Sequence, residues 1–425
     1  MNIRITGAPT GGRVQAIPSK SAAHRIMIAA AMSGLDLTDQ LDGLSKDITA
    51  TKHCLLALMQ RLEGTCGGAN AEQIAGEEPA PAQLPCGESG STLRFLIPLA
   101  GVLGINADFI CEGRLPDRPM GPFLDQLMQH GCSVAGRNPK QLRGELRGGV
   151  FRLPGDISSQ YVTGLLMALP MAAEDSRIIV EGTLQSRPYI DLTLEVLAKA
   201  GIQVSEPRSS VFEIAGGQTY RLPKDALDHI EGDWSNGAFW LVMDAMNRAR
   251  GREGIDCFGL DSCSRQGDKA IVPVIDQMRA ADDPSPVQRA EDPSPVQIDV
   301  SDIPDLVPAI AVLAVSRPEG AVTHITGAGR LRYKESDRLA TVTGTLNALG
   351  AKITEEPEAL LIPGQGSLQG GEISSCSDHR IVMMAAAAAC ICEGEILIRD
   401  AQTVEKSYPR FFEDYRMLGG QWEII

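Results

Sequence analysis

Apolar runs of helical character recur along this chain, and a short polar turn opens each of them. Pro18-Ser19-Lys20-Ser21 precedes the run at 26–30, and Gly87-Glu88-Ser89-Gly90-Ser91 precedes 93–99. Gly155-Asp156-Ile157-Ser158-Ser159-Gln160 comes before 162–169, and Gly232-Asp233-Trp234-Ser235-Asn236 before 238–243. The last copies are Ser301-Asp302-Ile303-Pro304-Asp305, before 306–315, and Ser377-Asp378-His379-Arg380, before 381–389. The interval is roughly 70 residues each time, the mark of an internal repeat.

A second unit alternates with the first: an acidic or Pro-bearing turn, an amphipathic helix, then Gly and a β-branched run. Arg118-Pro119-Met120, Arg187-Pro188-Tyr189, Glu335-Ser336-Asp337-Arg338 and Lys406-Ser407-Tyr408-Pro409 open its clearest copies. Another starts near Ser45-Lys46-Asp47, and the faintest near Gly267-Asp268-Lys269. Strand-like segments such as Phe109-Ile110-Cys111 and Arg177-Ile178-Ile179-Val180 fall between helices. The pattern predicts a mixed α/β (α+β) chain of six βαβαββ repeats, grouped as two three-repeat domains. One segment breaks the rhythm: Asp283-Pro284-Ser285-Pro286-Val287-Gln288 returns as Asp292-Pro293-Ser294-Pro295-Val296-Gln297, a duplicated surface loop by composition.

Composition narrows the function. The 425 residues suffice for two cores, and 43% hydrophobic with 22% charged residues is a globular balance. A formal net charge of −15 argues against nucleic acid or an anionic membrane as partner, and leaves small anions to a locally basic cleft. The N-terminus carries no export-signal pattern, and no apolar run approaches the ~20 residues of a membrane span. The Ala-rich run at 381–392 reads as a buried helix. Ten cysteines without CxxC or Cys/His ligand spacing predict reduced thiols in the cytoplasm and no metal site.

The helix-opening turns hold the candidate chemistry. Unpaired N–H groups and the dipole make a helix N-terminus an anion site. Lys20 and Arg25, Gly90 and Arg94, Arg118, Ser158-Ser159-Gln160, Ser186, Lys334 and Arg338, His379-Arg380 and Lys406 all lie in or beside such turns. Cations there oppose the dipole, so their recurrence in five of the six repeats points to bound anions opposite them. Asp305 and Glu335 lie among these cations, where neighbours tune a carboxyl for general acid/base work. The same acids would equally serve as ordinary helix-start residues. GxxxxGK[ST], GxGxxG and HExxH motifs are absent, which removes support for nucleotide triphosphate, dinucleotide or zinc-hydrolase chemistry.

At these residues the chain resembles the EPSP synthases (3-phosphoshikimate 1-carboxyvinyltransferases) of the enolpyruvyl transferase family. The matching blocks are Pro18-Ser19-Lys20-Ser21-Ala22-Ala23-His24-Arg25, Ser158-Ser159-Gln160, Ser186-Arg187-Pro188-Tyr189-Ile190-Asp191, Ile303-Pro304-Asp305, Lys334-Glu335-Ser336-Asp337-Arg338-Leu339 and Asp378-His379-Arg380. The resemblance implies an inserted domain at 21–230 and a discontinuous one made of 1–20 with 231–425, joined by two hinge crossings, with the active site in the cleft between them. It implies transfer of the enolpyruvyl group of phosphoenolpyruvate to the 5-hydroxyl of shikimate 3-phosphate in aromatic amino-acid biosynthesis. Ser21, Arg25, Ser158, Ser159, Gln160, Ser186, Tyr189, Asp305 and Lys334 would bind shikimate 3-phosphate. Lys20, Gly90, Arg118, Gln160, Arg338, Arg380 and Lys406 would meet phosphoenolpyruvate. Asp305 and Glu335 would be the acid/base pair, with Lys20 a further participant. The resemblance also implies no cofactor, no metal, a cytoplasmic monomer, and a glyphosate target in which Gly90 preserves the small gap such an inhibitor uses.

Three positions depart from the family pattern. Glu88-Ser89-Gly90-Ser91 replaces Asn-Ala-Gly-Thr, Phe95 stands where Pro often follows the helix-start Arg, and Arg330 replaces an Asn. The sister UDP-N-acetylglucosamine enolpyruvyl transferases usually carry Lys-Asn in the first turn and a Cys in the loop before the donor-binding Arg. Here the turn is Lys20-Ser21, and Cys111 is expected at a strand end. A non-catalytic anion-binding scaffold would not need Lys20, Asp305 and Glu335 together.

Overall fold

A computed structural model describes residues 1–38, 45–66, 80–282 and 295–425. The duplicated Pro-rich loop lies outside the described residues except for its final residues, 295–297. The chain separates into two compact units, Met1–Ser19 with Glu231–Ile425, and Lys20–Ile230. Each encloses its own core.

The discontinuous unit begins with β1 (Ile3–Gly7) and β2 (Gly12–Gln15). The inserted unit follows with α1 (Lys20–Met32), α2 (Lys46–Cys66), β3 (Ala82–Gly87), α3 (Gly90–Val102), β4 (Ala107–Cys111) and α4 (Gly121–Gln129). It continues through β5 (Cys132–Ala135), β6 (Lys140–Gly144), β7 (Val150–Pro154), α5 (Ser159–Ala168), β8 (Ser176–Glu181), α6 (Arg187–Lys199), β9 (Val204–Arg208) and β10 (Val211–Ile214). Back in the discontinuous unit come α7 (Trp234–Ala249), β11 (Ile255–Phe258), α8 (Ile271–Asp282), β12 (Val296–Asp299), α9 (Val307–Val315), β13 (Val322–Thr326) and α10 (Arg338–Ala348). The chain ends with β14 (Thr354–Glu355), β15 (Leu360–Pro363), β16 (Gly371–Ser374), α11 (His379–Ala388), β17 (Ile396–Arg399), α12 (Phe411–Met417) and β18 (Gln421–Ile424).

Four sheets share one plan: β3-β4-β6-β5, β7-β8-β10-β9, β12-β13-β15-β14 and β16-β17-β1-β18. In each, the first two strands pair parallel across a buried helix and the remaining joins are antiparallel. The last sheet borrows β1 as its inner strand, with Ile3 opposite Ile398 and Ile5 opposite Ile396. The N-terminus thereby completes the repeat at the C-terminus. β2 pairs parallel with β11, Val14 opposite Cys257, beside α7 and α8. The closing strand pairs of the first and fourth repeats would follow α2 and α8, at 67–79 and 283–294, and so lie outside the described residues.

The two helix types expected from the polar–apolar pattern are both present. Every residue of α9 and of α11 is buried, as suits helices apolar all round. The second type is one-sided: α4 turns Phe123 and Leu127 inward, and α6 turns Ile190, Val196 and Leu197 inward. α7, α9 and α11 pack on one another, as do α3 and α5. The α3–α5 approach depends on Gly164, where an added Cβ would lie 2.4 Å from the carbonyl oxygen of Arg94. Because α3, α5 and α11 each follow a strand closely, their N-termini emerge where parallel strands end, the usual location of ligands in such sheets.

At the base of the discontinuous unit, the outgoing and returning chains are tied together. Ser19 N donates to Glu231 O and Asp233 N to Ile17 O, both at 2.8 Å. Gln266 Oε1 accepts from Ser19 Oγ at 3.0 Å and from Trp234 N at 3.1 Å.

Gly164→Ala should destabilise the protein by about 1–3 kcal/mol in urea unfolding, because backbone must shift to admit the methyl group. Gly344→Ala on α10, where nothing lies within 4 Å of the added Cβ, should instead stabilise by roughly 0.5–1 kcal/mol. Equal unfolding midpoints for the two variants would refute the close approach of α3 and α5.

Candidate functional site

Burying a guanidinium is costly unless carboxylates surround it. Arg338, at the first position of α10, is 1% exposed and meets three of them. Its Nη1 donates to Asp305 Oδ1 at 2.8 Å, its Nη2 to Glu335 Oε2 at 2.6 Å and its Nε to Asp378 Oδ2 at 2.8 Å. These acids come from different turns. Asp305 lies in a 3-10 turn, Pro304–Leu306, that leads into α9, and Glu335 precedes α10. Asp378 is the N-cap of α11, accepting from Arg380 N at 3.0 Å.

Asp305 collects further cations. Lys334 Nζ donates to its Oδ1 at 3.3 Å, and Arg380 Nη2 lies 3.3 Å from Oδ2. Arg380 Nη1 also donates to the Asp305 carbonyl oxygen at 3.2 Å. Burial works against the Asp305 carboxylate, but Arg380, Lys334 and Arg338 outweigh it and hold the carboxyl well below its ordinary range. The sign follows: this stabilisation is present above the ordinary carboxylate pKa and is lost as pH falls through the lower folded value. Burial lowers the Lys334 ammonium, partly offset by Asp305. Burial also opposes Arg338, yet Asp378, Glu335 and Asp305 more than compensate and raise it. Lys406, ending a 3-10 turn at Ala401–Lys406, donates to Ser377 O at 2.8 Å, next to the α11 cap.

The inserted unit carries a second set. Lys20 Nζ pairs with Asp47 Oδ2 at 2.8 Å across the starts of α1 and α2. Arg25, 2% exposed, donates to Thr193 Oγ1 at 2.8 Å, to Ser21 O at 2.6 Å and to Tyr189 O at 3.0 Å. It thus fixes the starts of α1 and α6 to each other. Its guanidinium lies 5.2 Å from the Phe95 ring centroid, so the aromatic ring that replaces Pro stacks on a buried cation. Burial brings the Arg25 guanidinium down to about 10.

Gly90 opens α3 against three polar side chains. Arg94 Nη1 donates to Gln160 Oε1 at 2.7 Å, and Gln160 Nε2 donates to Ser91 Oγ at 3.0 Å. A Cβ at position 90 would fall 2.7 Å from Arg94 Nη1 and 2.9 Å from Arg118 Nη1. Ser158 is the N-cap of α5, accepting from Gln160 N at 3.2 Å, with Ser159 buried behind it. Ser186 caps α6 in the left-handed region, φ 57°, which a serine adopts at a cost.

The expected residues therefore gather in two networks, one in each unit. Asp305, Lys334, Glu335, Arg338 and Arg380 form the first, joined through the α11 start to Lys406. In the second, Thr163 and Thr193, whose hydroxyls are 3.1 Å apart, connect the Ser158-Ser159-Gln160 helix to the Ser186–Tyr189 helix. Cys111 ends β4, as expected. Arg330 donates through Nη2 to Ser301 O and so braces the loop ahead of Asp305. Sequence reasoning did not single out Asp47, Asp378 or Asp268 as site residues; an acid in or beside each helix-opening turn is the signal they share. Among the described residues, no group of three or more His, Cys, Asp or Glu side chains could hold a metal ion, and no helix is long and apolar enough to cross a membrane.

The sequence model of a family described as EPSP synthase (3-phosphoshikimate 1-carboxyvinyltransferase) matches residues 5–415. A 3-phosphoshikimate 1-carboxyvinyltransferase of Clostridium kluyveri is 42% identical over 99% of both chains. One from Clostridium acetobutylicum is 36% identical, again over 99% of each. A solved EPSP synthase from Acinetobacter baumannii is similar in fold, with a TM-score of 0.70 over the whole of both chains at 21% identity.

Arg338→Ala should cost about 3–5 kcal/mol in chemical denaturation, since it strands buried carboxylates. Arg4→Ala, whose partners Glu395 and Glu423 are both exposed, should cost only about 0–1 kcal/mol. Similar losses for both would mean that the buried network adds nothing particular to the fold.

Proposed function

We propose, because this chain belongs to the EPSP synthase family, that it transfers the enolpyruvyl group of phosphoenolpyruvate to the 5-hydroxyl of shikimate 3-phosphate. The products are 5-enolpyruvylshikimate 3-phosphate and phosphate. The observation that carries the assignment of catalytic groups is the carboxylate of Asp305, held ionised by Lys334, Arg338 and Arg380 at the opening of buried helices.

In this reading, Ser158, Ser159 and Ser186 hold the phosphate of shikimate 3-phosphate, and Ser21, Arg25, Gln160, Tyr189, Asp305 and Lys334 surround the remainder. Phosphoenolpyruvate is held by Lys20, Gly90, Arg118, Gln160, Arg338, Arg380 and Lys406. The hydroxyl adds to C2 of phosphoenolpyruvate as C3 takes a proton; the C3 methyl group then gives up a proton as the bond from C2 to the phosphate oxygen breaks, which restores the double bond and releases phosphate. Asp305 accepts the hydroxyl proton. A substrate anion that draws Arg380 or Lys334 away removes part of what keeps Asp305 ionised, so binding raises its proton affinity when a base is needed. Glu335, with Lys20 as a further participant, is left to serve the proton at C3. The cations stabilise a tetrahedral species that carries both carboxylate and phosphate. The protein acts as a cytoplasmic monomer and needs no cofactor in this chemistry.

Phosphate release should require shikimate 3-phosphate together with phosphoenolpyruvate, with UDP-N-acetylglucosamine failing as acceptor. Asp305→Ala and Glu335→Ala should each lower kcat by roughly 10²–10⁴. Release with the nucleotide sugar alone would move the chain to the sister activity, and release with neither would leave an anion-binding protein.

Gly90→Ala should leave the fold intact, since the atoms nearest the new methyl, ahead of Gln160 Oε1 at 3.7 Å, are the ends of two arginine side chains. Their displacement should raise KM for phosphoenolpyruvate several-fold with kcat little changed, the signature of lost uniform binding. An unchanged KM would detach Arg118 from the donor.

A further inference from the structure

One buried acid of the discontinuous unit has no part in the reading above. Asp268 lies in a 3-10 turn, Gly267–Ala270, just before α8, and is 2% exposed. Ser235 Oγ, from the first turn of α7, donates to its Oδ2, while Oδ1 is buried without a hydrogen-bond partner. A carboxylate so placed lacks the satisfaction that buried polar oxygens normally find.

Its surroundings are charged from several directions. Asp305 and Arg380 act on it from the starts of α9 and α11, and Asp233 from the N-cap of α7. On its own turn Lys269 is exposed and donates to Ser262 O at 3.3 Å. A proton on Asp268 therefore changes the charge felt by the two residues that the proposed reaction uses for base chemistry and donor binding.

We propose that Asp268 is a positioning residue whose protonation sets the charge balance of the Asp305–Arg380 pair, and through it the affinity for phosphoenolpyruvate. The inference rests on the functional reading above. Protonated, Asp268 leaves Arg380 facing one fewer carboxylate, which favours the anionic donor. Ionised, it adds a negative charge to the surroundings of Arg380 and so disfavours the donor. Burial, reinforced by Asp305, pushes the Asp268 carboxyl up to about 7, against the opposing pull of Arg380 and the Ser235 hydroxyl. The exchange therefore falls within the working pH range.

The test compares wild type with Asp268→Asn, which keeps the shape and an oxygen for Ser235. In wild type, kcat/KM for phosphoenolpyruvate should fall through pH 7, leaving the variant ahead by up to about tenfold at pH 8 with the two alike at pH 6. Titration of the donor's own phosphate is common to both proteins and cancels. Ser235→Ala removes a hydrogen bond that favours the ionised form, so it should move the wild-type limb to higher pH. It also keeps the test alive if Asp268→Asn fails to fold.

A second readout needs no turnover. A raised folded pKa contributes stability at low pH that is lost as pH rises through the folded value. The Tm of Asp268→Asn relative to wild type should therefore climb between pH 5 and pH 8. Overlapping pH–rate profiles from active proteins would overturn the inference and leave the catalytic reading standing, and so would a flat Tm difference. Absence of turnover in wild type would instead overturn the catalytic reading, and this inference with it.

Discussion

A guanidinium removed from water needs its charge and its N–H groups compensated, and Arg338 draws carboxylates from three separate turns to do so. Asp378 is fully buried, whereas Asp305 and Glu335 retain 18% and 17% exposure. The pair with Asp378 is therefore structural in character, and the other two reach towards solvent. Removing any one member would leave opposite charge buried, which is why such networks resist partial loss. The network also explains how acids come to sit at cation-rich helix starts. They make burial of the cations tolerable while leaving an anion something to compete for.

The inserted unit meets the same requirement by a different chemistry. Its buried cation, Arg25, has hydroxyls, carbonyl oxygens and an aromatic face around it. Without a carboxylate to support it, its pKa falls where that of Arg338 rises. Arg94 is likewise steadied by an amide, that of Gln160. One repeat architecture thus yields a half rich in ion pairs and a half rich in neutral hydrogen bonds. The former sets three carboxylates around one buried cation, whereas the latter pairs Lys20 with Asp47 and leaves Arg25 to neutral partners. The latter suits fixed recognition of phosphate, where hydroxyls and backbone N–H groups at helix starts suffice.

Much of this was legible in the sequence because helix openings and apolar periodicity are local signals. The turns before α3, α5, α7 and α11 lie where the polar–apolar rhythm put them. So does the buried α11, whose Ala-rich run could not be mistaken for a membrane span. Pairing between distant turns was not legible. Nothing near Asp47 announces Lys20, and nothing near Asp268 announces Ser235, because those contacts exist only once the helices are packed. The strand that β1 lends to the last sheet is hidden for the same reason: its partners are nearly the whole chain away. Two departures from the family pattern read as oddities in sequence and as supports in three dimensions. Phe95 underlies Arg25, and Arg330 braces Ser301.

An overall charge of −15 and a role in handling two anions are compatible for a reason that lies in burial. Surface carboxylates are screened within about a Debye length, roughly 8–10 Å at ordinary salt. The cations at the helix starts work at hydrogen-bond distance in a medium that screens far less. Their carboxylate partners do not cancel them evenly, however. Arg338 makes bonds of 2.6 Å to Glu335 and 2.8 Å to Asp378, whereas Lys334 and Arg380 reach Asp305 at 3.3 Å. An incoming anion displaces the longer contacts first, because less is lost in breaking them. In the proposed reading, that exchange takes Lys334 and Arg380 from Asp305 while Arg338 stays bonded to it at 2.8 Å, so the event that admits the anion also raises the proton affinity of the carboxylate.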